Sequence, residues 1–272
     1  MQETYITILG VRLYCQYKIN GKPPIILIHG VLASMHTFHK LIPILTKHYS
    51  VIAIDLPGFG KSEKSSSFIY SYQNYAQLVL QCIDYFKLDK VNIVGHSMGG
   101  QIALNVALQK PDTIDHLILL ASSGYLPKAK TWLTYATYLP FSHLAAKFFL
   151  RHETVLANLQ TVLYDHSYIT EEIINEYERP LKEKNFYKAL VRLLRYREGD
   201  LSREQLHHIS KPVLIIWGEE DQVLSPKIGE RLAKDLPYAT FMSYSKTGHL
   251  LTEEKPQEIG EEIINFARDS YD

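Results

Sequence analysis

The stretch that most constrains this chain is KVNIVGHSMGGQIALNVALQKP, residues 90–111. Val91, Ile93 and Val94 make a short apolar run of the kind that becomes a buried strand. Gly95-His96-Ser97-Met98-Gly99 reads as a sharp turn. Ile102, Ala103, Val106, Ala107 and Leu108 follow at helical spacing and stop before Pro111. The G-x-S-x-G pattern thus stands between an entering strand and a leaving helix, the context in which it carries meaning.

The reason for the pattern is steric. A serine at the tip of so sharp a turn is expected to sit in a strained backbone conformation. Residues two before and two after must lack a Cβ for strand and helix to pass closely, and Gly95 and Gly99 meet that demand. Ser97 is then expected to project its Oγ into solvent at the carboxyl edge of a sheet. The N–H of Met98, at the helix start, should point at the same spot as an anion donor.

The rest of the chain supplies the sheet. Residues 4–17 hold two β-like runs joined at Gly10-Val11, which predicts a hairpin. Residues 25–28, 51–54, 114–120 and 213–217 are further apolar runs, and 240–244 is a last strand. Helical spacing appears at 38–45, 72–86, 227–236 and 256–267. Alternation of this kind, with strands apolar throughout, predicts an α/β fold: a mostly parallel, doubly wound sheet with helices on both faces. Between 125 and 208 the strand rhythm stops, and segments such as 143–150, 153–163, 170–181 and 186–196 read as helices. The expected division is therefore a core of residues 1–124 and 209–272 with a helical insertion at 125–208.

A serine hydroxyl needs a base, and the base needs an orienting carboxylate. In a doubly wound sheet such groups collect at the carboxyl ends of strands. After residues 213–217 the chain reads Gly218-Glu219-Glu220-Asp221; after 240–244 it reads Ser245-Lys246-Thr247-Gly248-His249. The order Ser, Asp, His follows. Asp221, next to the apolar Val223-Leu224, is the expected acid, with Glu219 and Glu220 facing solvent. His249 is the expected base. His29 reads as a loop brace, and His96, adjacent to the serine, as a poor base. The second oxyanion donor should come from the loop after residues 25–28, where the Val31 N–H is the candidate beside that of Met98.

Composition narrows the class. The 272 residues are 46% hydrophobic and 21% charged, with a formal net charge of zero and a pI of about 7.2. Nothing in that balance suggests a nucleic-acid partner. Cys15 and Cys82 make no framework and read as buried thiols. No set of His, Cys and carboxylate stands at metal-ligand spacing, so no metal is expected. No signal peptide or run of transmembrane length is visible, and a cytoplasmic protein without integral membrane association is the default expectation.

HGVLAS (29–34), DLPGFGKS (55–62), GHSMGG (95–100), WGEED (217–221) and GH (248–249) together resemble the α/β-hydrolase superfamily. The branch they resemble is the capped one of bacterial esterases, non-haem haloperoxidases and monoacylglycerol lipase-like enzymes. The resemblance implies an acyl-enzyme cycle without cofactor, with Ser97 as nucleophile, His249 as base then acid, and Asp221 as its orienter. It implies a structural DLPGFGKS loop and makes the insertion a cap. Ser97 stands where haloalkane dehalogenases and epoxide hydrolases carry aspartate. Leu250 and Leu251 follow the histidine where C–C bond hydrolases usually place tryptophan. Hydrolysis of a small-molecule carboxylic ester is the reading that results. The alternatives on the same triad are thioester hydrolysis, C–C cleavage and perhydrolase or haloperoxidase-like activity; a hydrolase-fold receptor is a further one. The cap aromatics Tyr125, Trp132, Tyr135, Tyr138, Phe141, Phe148, Phe149, Tyr164 and Tyr168 are expected mostly to pack the cap, some to line an apolar pocket. Oligomeric state is not readable.

Overall fold

The computed structural model describes residues 1–151 and 155–268. Eight strands form one sheet: β1 (Gln2–Ile8), β2 (Val11–Lys18), β3 (Pro24–Ile28), β4 (Ser50–Ile54), β5 (Val91–His96), β6 (Ile114–Leu120), β7 (Val213–Gly218) and β8 (Ala239–Tyr244). Their order is β1-β2-β4-β3-β5-β6-β7-β8. β1 and β2 are the predicted antiparallel hairpin, and β2 joins β4 antiparallel. Every pairing from β4 through β3 and β5 to β8 is parallel. The α/β fold expected from strand-helix alternation is the one observed.

The inner strands β3, β4, β5 and β7 are buried along almost their whole length. Parallel strands covered on both faces need such continuous apolar runs. Helices Tyr72–Tyr85, Met98–Gln109, Pro226–Asp235 and Pro256–Arg268 supply the cover, and their apolar positions join the strands in one core cluster. The sheet places β3, β5, β7 and β8 with their carboxyl ends on one edge, so four loops converge there.

Between β6 and β7 the described residues are helical or irregular. Helices Ser142–Arg151, Val155–Val162, Glu171–Glu178 and Phe186–Tyr196 fall where the spacing predicts them. Two shorter helices, Thr131–Ala136 and Arg203–His207, are additional, the second closed by a capping box from Ser202 and Gln205. The side chain of Phe149 lies outside the described residues.

The aromatic residues of this helical segment depart from expectation. Trp132, Tyr135, Tyr138 and Phe141 do not pack inward and stand largely in solvent. Tyr125 does pack, donating from its hydroxyl to Asp235 at 2.7 Å beneath the Arg231 guanidinium. The apolar interior of the segment is instead an aliphatic cluster of Leu159, Leu163 and Ile173 with Leu250 of the histidine loop.

Candidate active site

Ser97 adopts φ 54° and ψ −120°, a sparsely populated conformation for a residue with a Cβ. The turn is wedged from several sides. A Cβ on Gly95 would collide with the Gly99 carbonyl oxygen, and one on Gly99 with that of Ile28. The backbone of Ser97 is tied down as well: its N–H donates to Leu120 O and its carbonyl accepts from Gly100 and Ser123 N–H, each at 3.0 Å. Met98 opens helix Met98–Gln109, so its N–H belongs to the first turn, which has no intrahelical acceptor. The one departure is exposure. Ser97 is buried, because residues from the segment between β6 and β7 line the space above it, so its Oγ lies in a walled pocket and not on the outer surface.

The loop after β3 comes up against this turn. A Cβ on Gly30 would sit 2.9 Å from Ser97 Cβ and 3.3 Å from its Oγ. Leu32 takes a positive φ of 58°, which bends the loop around Val31. Val31 and Ser97 line the same two cavities.

His249 and Asp221 are paired. Nδ1 of His249 lies 2.7 Å from Asp221 Oδ2, with both side chains buried. The other carboxylate oxygen accepts from Val223 N–H at 2.8 Å and Leu224 N–H at 2.9 Å. With one Asp221 oxygen on two backbone N–H groups and the other facing Nδ1 of the ring, Nδ1–H is the donor to Asp221 and Nε2 is left with its lone pair. Glu219 is exposed, as expected. Glu220 is not fully so: its carboxylate accepts from Thr247 N–H at 3.0 Å, which fixes the loop that carries His249.

The neighbouring histidines brace the site. His96 is fully enclosed, and burial, helped by the nearby His249, pushes it down to about 3, so it is neutral. Its Nε2–H donates to the backbone carbonyl of His249 at 2.9 Å. His29, pushed down to about 4 by burial, accepts from Leu56 N–H at 3.0 Å through Nε2 and holds the Gly30 carbonyl through Nδ1. Asp55 of the DLPGFGKS segment accepts from Met35 and Lys61 N–H at 2.8 and 2.6 Å. A Cβ on Gly60 would collide with that carboxyl. These are the contacts of a loop scaffold.

Sequence reasoning missed Glu254. This buried carboxylate accepts from Gly248 N–H at 2.6 Å with one oxygen, and from Tyr164 and Asp165 N–H at 2.9 and 2.8 Å with the other. Burial raises it above the usual carboxylate range despite those donors. Leu250 N–H adds a bond to Val162 O at 3.0 Å. The histidine loop is therefore stitched to residues 162–165 of the helical segment. The only signal in the sequence was an acid five residues after the histidine, and two of its three partners are backbone groups 90 and 89 residues away.

Two apolar cavities meet at Ser97. One of about 260 Å³ is lined by His249, Leu159, Val162, Tyr177 and Leu181. The other, of about 400 Å³, is lined by Met98, Leu126, Leu190, Leu193 and Leu194, with Tyr72 and Arg197 as polar members. Val31, Leu32, Ser97 and Val223 are common to both. A substrate whose reacting carbon sits at Ser97 has room for one substituent on each side.

Among the described residues, one group gathers possible metal ligands: His36, His39 and Glu253. The two rings stack at 4.1 Å and 12°. An imidazole binds a metal in its own plane, and two nearly parallel planes share no such point. His39 instead pairs with Glu253 at 2.9 Å, alongside Lys40 at 2.9 Å.

Comparison with known proteins bears on the family. The chain is 45% identical to an uncharacterized hydrolase of Bacillus subtilis (strain 168), YugF, over 96% of both chains. It is 26% identical to a 2-hydroxy-6-oxononadienedioate/2-hydroxy-6-oxononatrienedioate hydrolase of Paraburkholderia phymatum, over 96% of this chain and 94% of that one. It is 27% identical to human monoacylglycerol lipase ABHD6, over 90% of this chain and 75% of that one. A family model described as alpha/beta hydrolase fold matches residues 23–256, a span that takes in the serine turn, the acid loop and the histidine loop. With the sheet order, the serine turn and that match in agreement, the chain belongs to the alpha/beta hydrolase family and is a hydrolase.

Proposed function

We propose that this hydrolase cleaves carboxylic esters of small or medium, largely apolar substrates through an acyl-enzyme on Ser97. The observation that carries the reading is the His249–Asp221 pair at 2.7 Å on the rim of the apolar cavity that holds Ser97. In the proposed cycle His249 Nε2 takes the Ser97 proton as Oγ attacks the ester carbonyl carbon. The N–H groups of Met98 and Val31 receive the oxyanion. The tetrahedral adduct collapses, the C–O bond to the alcohol breaks, and His249 returns the proton to the departing alkoxide. Water, deprotonated by His249, then attacks the acyl carbon, and Ser97 leaves with that proton. Asp221 holds the imidazole in the required tautomer and balances its charge. No cofactor enters this cycle. Residues 125–208 act as a cap that excludes bulk water from it.

A second reading is C–C bond hydrolysis, favoured by the 26% identity to the Paraburkholderia enzyme. Leu250 and Leu251 after the histidine, and the apolar lining of both cavities, weigh toward the ester. The test is turnover of p-nitrophenyl butyrate against a 2-hydroxy-6-oxo-dienoate by the wild type and Ser97→Ala. Ester turnover that vanishes in Ser97→Ala, with at most slow dienoate cleavage, is the expected result. Faster dienoate cleavage would reverse the order of the two readings, and ester turnover that survives in Ser97→Ala would remove Ser97 as nucleophile.

A further inference from the structure

A run of large apolar side chains faces outward from the helical segment. On helix Thr131–Ala136 and the turn after it, Trp132, Tyr135, Tyr138 and Leu139 recur at helical spacing. Phe141 and Leu144 do the same at the start of helix Ser142–Arg151. In an ordinary amphipathic helix such a stripe faces the core. Here all six residues are between 53 and 71% exposed. Scattered apolar residues on a surface need no explanation, but six large ones within thirteen consecutive positions mark a docking face.

Charge says what docks there. The chain as a whole has a formal net charge of zero. Residues 125–151 nevertheless contain no Asp or Glu, while Lys128, Lys130, Lys147 and Arg151 all fall inside them. Beside the apolar face runs a groove of about 730 Å³, lined by Leu144, Lys147, Lys182, Lys184 and Lys188. Its two acids are already engaged: Glu178 pairs with Lys182, and Glu183 with Lys64 and Arg179. Trp and Tyr on one side with lysines around them is the composition of a segment lying in a lipid headgroup layer. A protein partner would be expected to bury a compact centre poor in lysine.

The groove also borders the active site. Val155 and Leu181 line it on one side and the cavity of Ser97 on the other. A molecule entering from the apolar face has one wall of side chains between it and the serine. No described helix is long and apolar enough to cross a membrane, so attachment at this face is peripheral.

We propose that the face carrying Trp132, Tyr135, Tyr138, Leu139, Phe141 and Leu144 is a docking surface for an anionic lipid bilayer. The aromatic rings enter the headgroup layer and the flanking lysines meet lipid phosphates. This does not rest on the ester reading, since binding is measurable without turnover.

The molecule contains its own probe. It has two tryptophans; Trp217 is fully buried in the core, and Trp132 stands in the exposed face. The experiment is sedimentation with vesicles of phosphatidylglycerol and phosphatidylcholine, or of phosphatidylcholine alone, together with tryptophan emission. The expected result is binding to the anionic vesicles, a blue shift of emission, and quenching by brominated lipid. Phe141→Ser/Leu144→Ser should lower partitioning at least tenfold with an unchanged melting temperature, as both side chains are exposed. Lys147→Gln and Lys184→Gln should each lower it about fivefold, and added salt should do the same. Absence of binding to either vesicle, or binding untouched by Phe141→Ser/Leu144→Ser, would overturn the proposal. So would a concentration-dependent dimer in analytical ultracentrifugation that Phe141→Ser/Leu144→Ser abolishes, since the face would then belong to a second copy of the chain.

Discussion

At the residue scale the proposed triad differs from its surroundings in how few partners are left to chance. Asp221 spends one oxygen on His249 and the other on two backbone N–H groups. Asp221→Asn keeps the shape but presents an amide that can donate to the imidazole, which favours the wrong tautomer. Its kcat should fall on the order of 10⁴-fold, as for the aspartate of serine proteases. Glu219→Gln, at an exposed position whose carboxylate accepts from the Ser243 hydroxyl, should leave kcat within a factor of about two. If Glu219→Gln proves the damaging change, the acid has been assigned to the wrong residue. Glu254→Gln is the informative third case. An amide cannot accept from Gly248 on one side and from Tyr164 and Asp165 on the other, so at least one N–H loses its acceptor. We expect kcat to fall at least tenfold with KM less affected, and hydrogen exchange to rise at 163–166 and 248–250 together. Exchange that rises at only one of these segments would mean Glu254 does not join them.

These residues also mark what could be read from the sequence. Ser97, Asp221 and His249 each follow an apolar strand run, and chain order with turn chemistry was enough to select them. Glu220 and Glu254 were not selected because each acts on backbone N–H groups of another segment, and no side-chain pattern records such a partner. The burial of Ser97 was missed for a related reason: the turn was readable, but what lies over it depends on helices whose docking no local pattern specifies.

At the scale of elements, periodicity did well where an element buries one face and poorly where it does not. Helices Val155–Val162, Glu171–Glu178 and Phe186–Tyr196 were readable. Helix Thr131–Ala136 was not, since its apolar stripe faces outward and its length is a turn and a half. The loops at the carboxyl edge are held by buried titratable groups, which gives a pH prediction. His29 and His96 are pushed down to about 4 and about 3 from an ordinary 6.5. Between those values and 6.5 the unfolded chain binds protons that the folded chain refuses, so both favour folding above 6.5 and lose that contribution as pH falls. Asp55, raised to about 6 from 3.8 by burial, acts oppositely, because the folded chain protonates it first. Glu254 and Asp200, also raised by burial, act the same way as Asp55, but the downward shifts of the two imidazoles are together the larger. The melting temperature should therefore drop as pH is lowered from about 6.5 to about 4. Calorimetry of the intact protein checks this, and a flat or rising melting temperature through that window would show that the imidazoles are not held neutral.

At the scale of the whole molecule, the sheet delivers Ser97 to the junction of two apolar cavities, and their size sets a limit on substrate. Burying each CH₂ of an acyl chain is worth about 0.8 kcal/mol, which is about a fourfold gain in kcat/KM if the contact persists in the transition state. Across p-nitrophenyl acetate to palmitate, kcat/KM should climb severalfold per carbon at first. The cavity of about 260 Å³ beside His249 is closed by Leu159, Val162, Tyr177 and Leu181. The gain should therefore stop at short-to-medium chains, once the acyl group meets that wall. Truncating the wall then has a predicted sign. Leu181→Ala should lengthen the preferred chain, because Leu181 separates this cavity from the lysine-lined groove behind it. A profile that is flat from acetate onward would remove the apolar cavity as the source of specificity. A wild-type profile still climbing at palmitate would mean that the acyl chain already passes Val155 and Leu181, and that the cavity and the groove act as one channel.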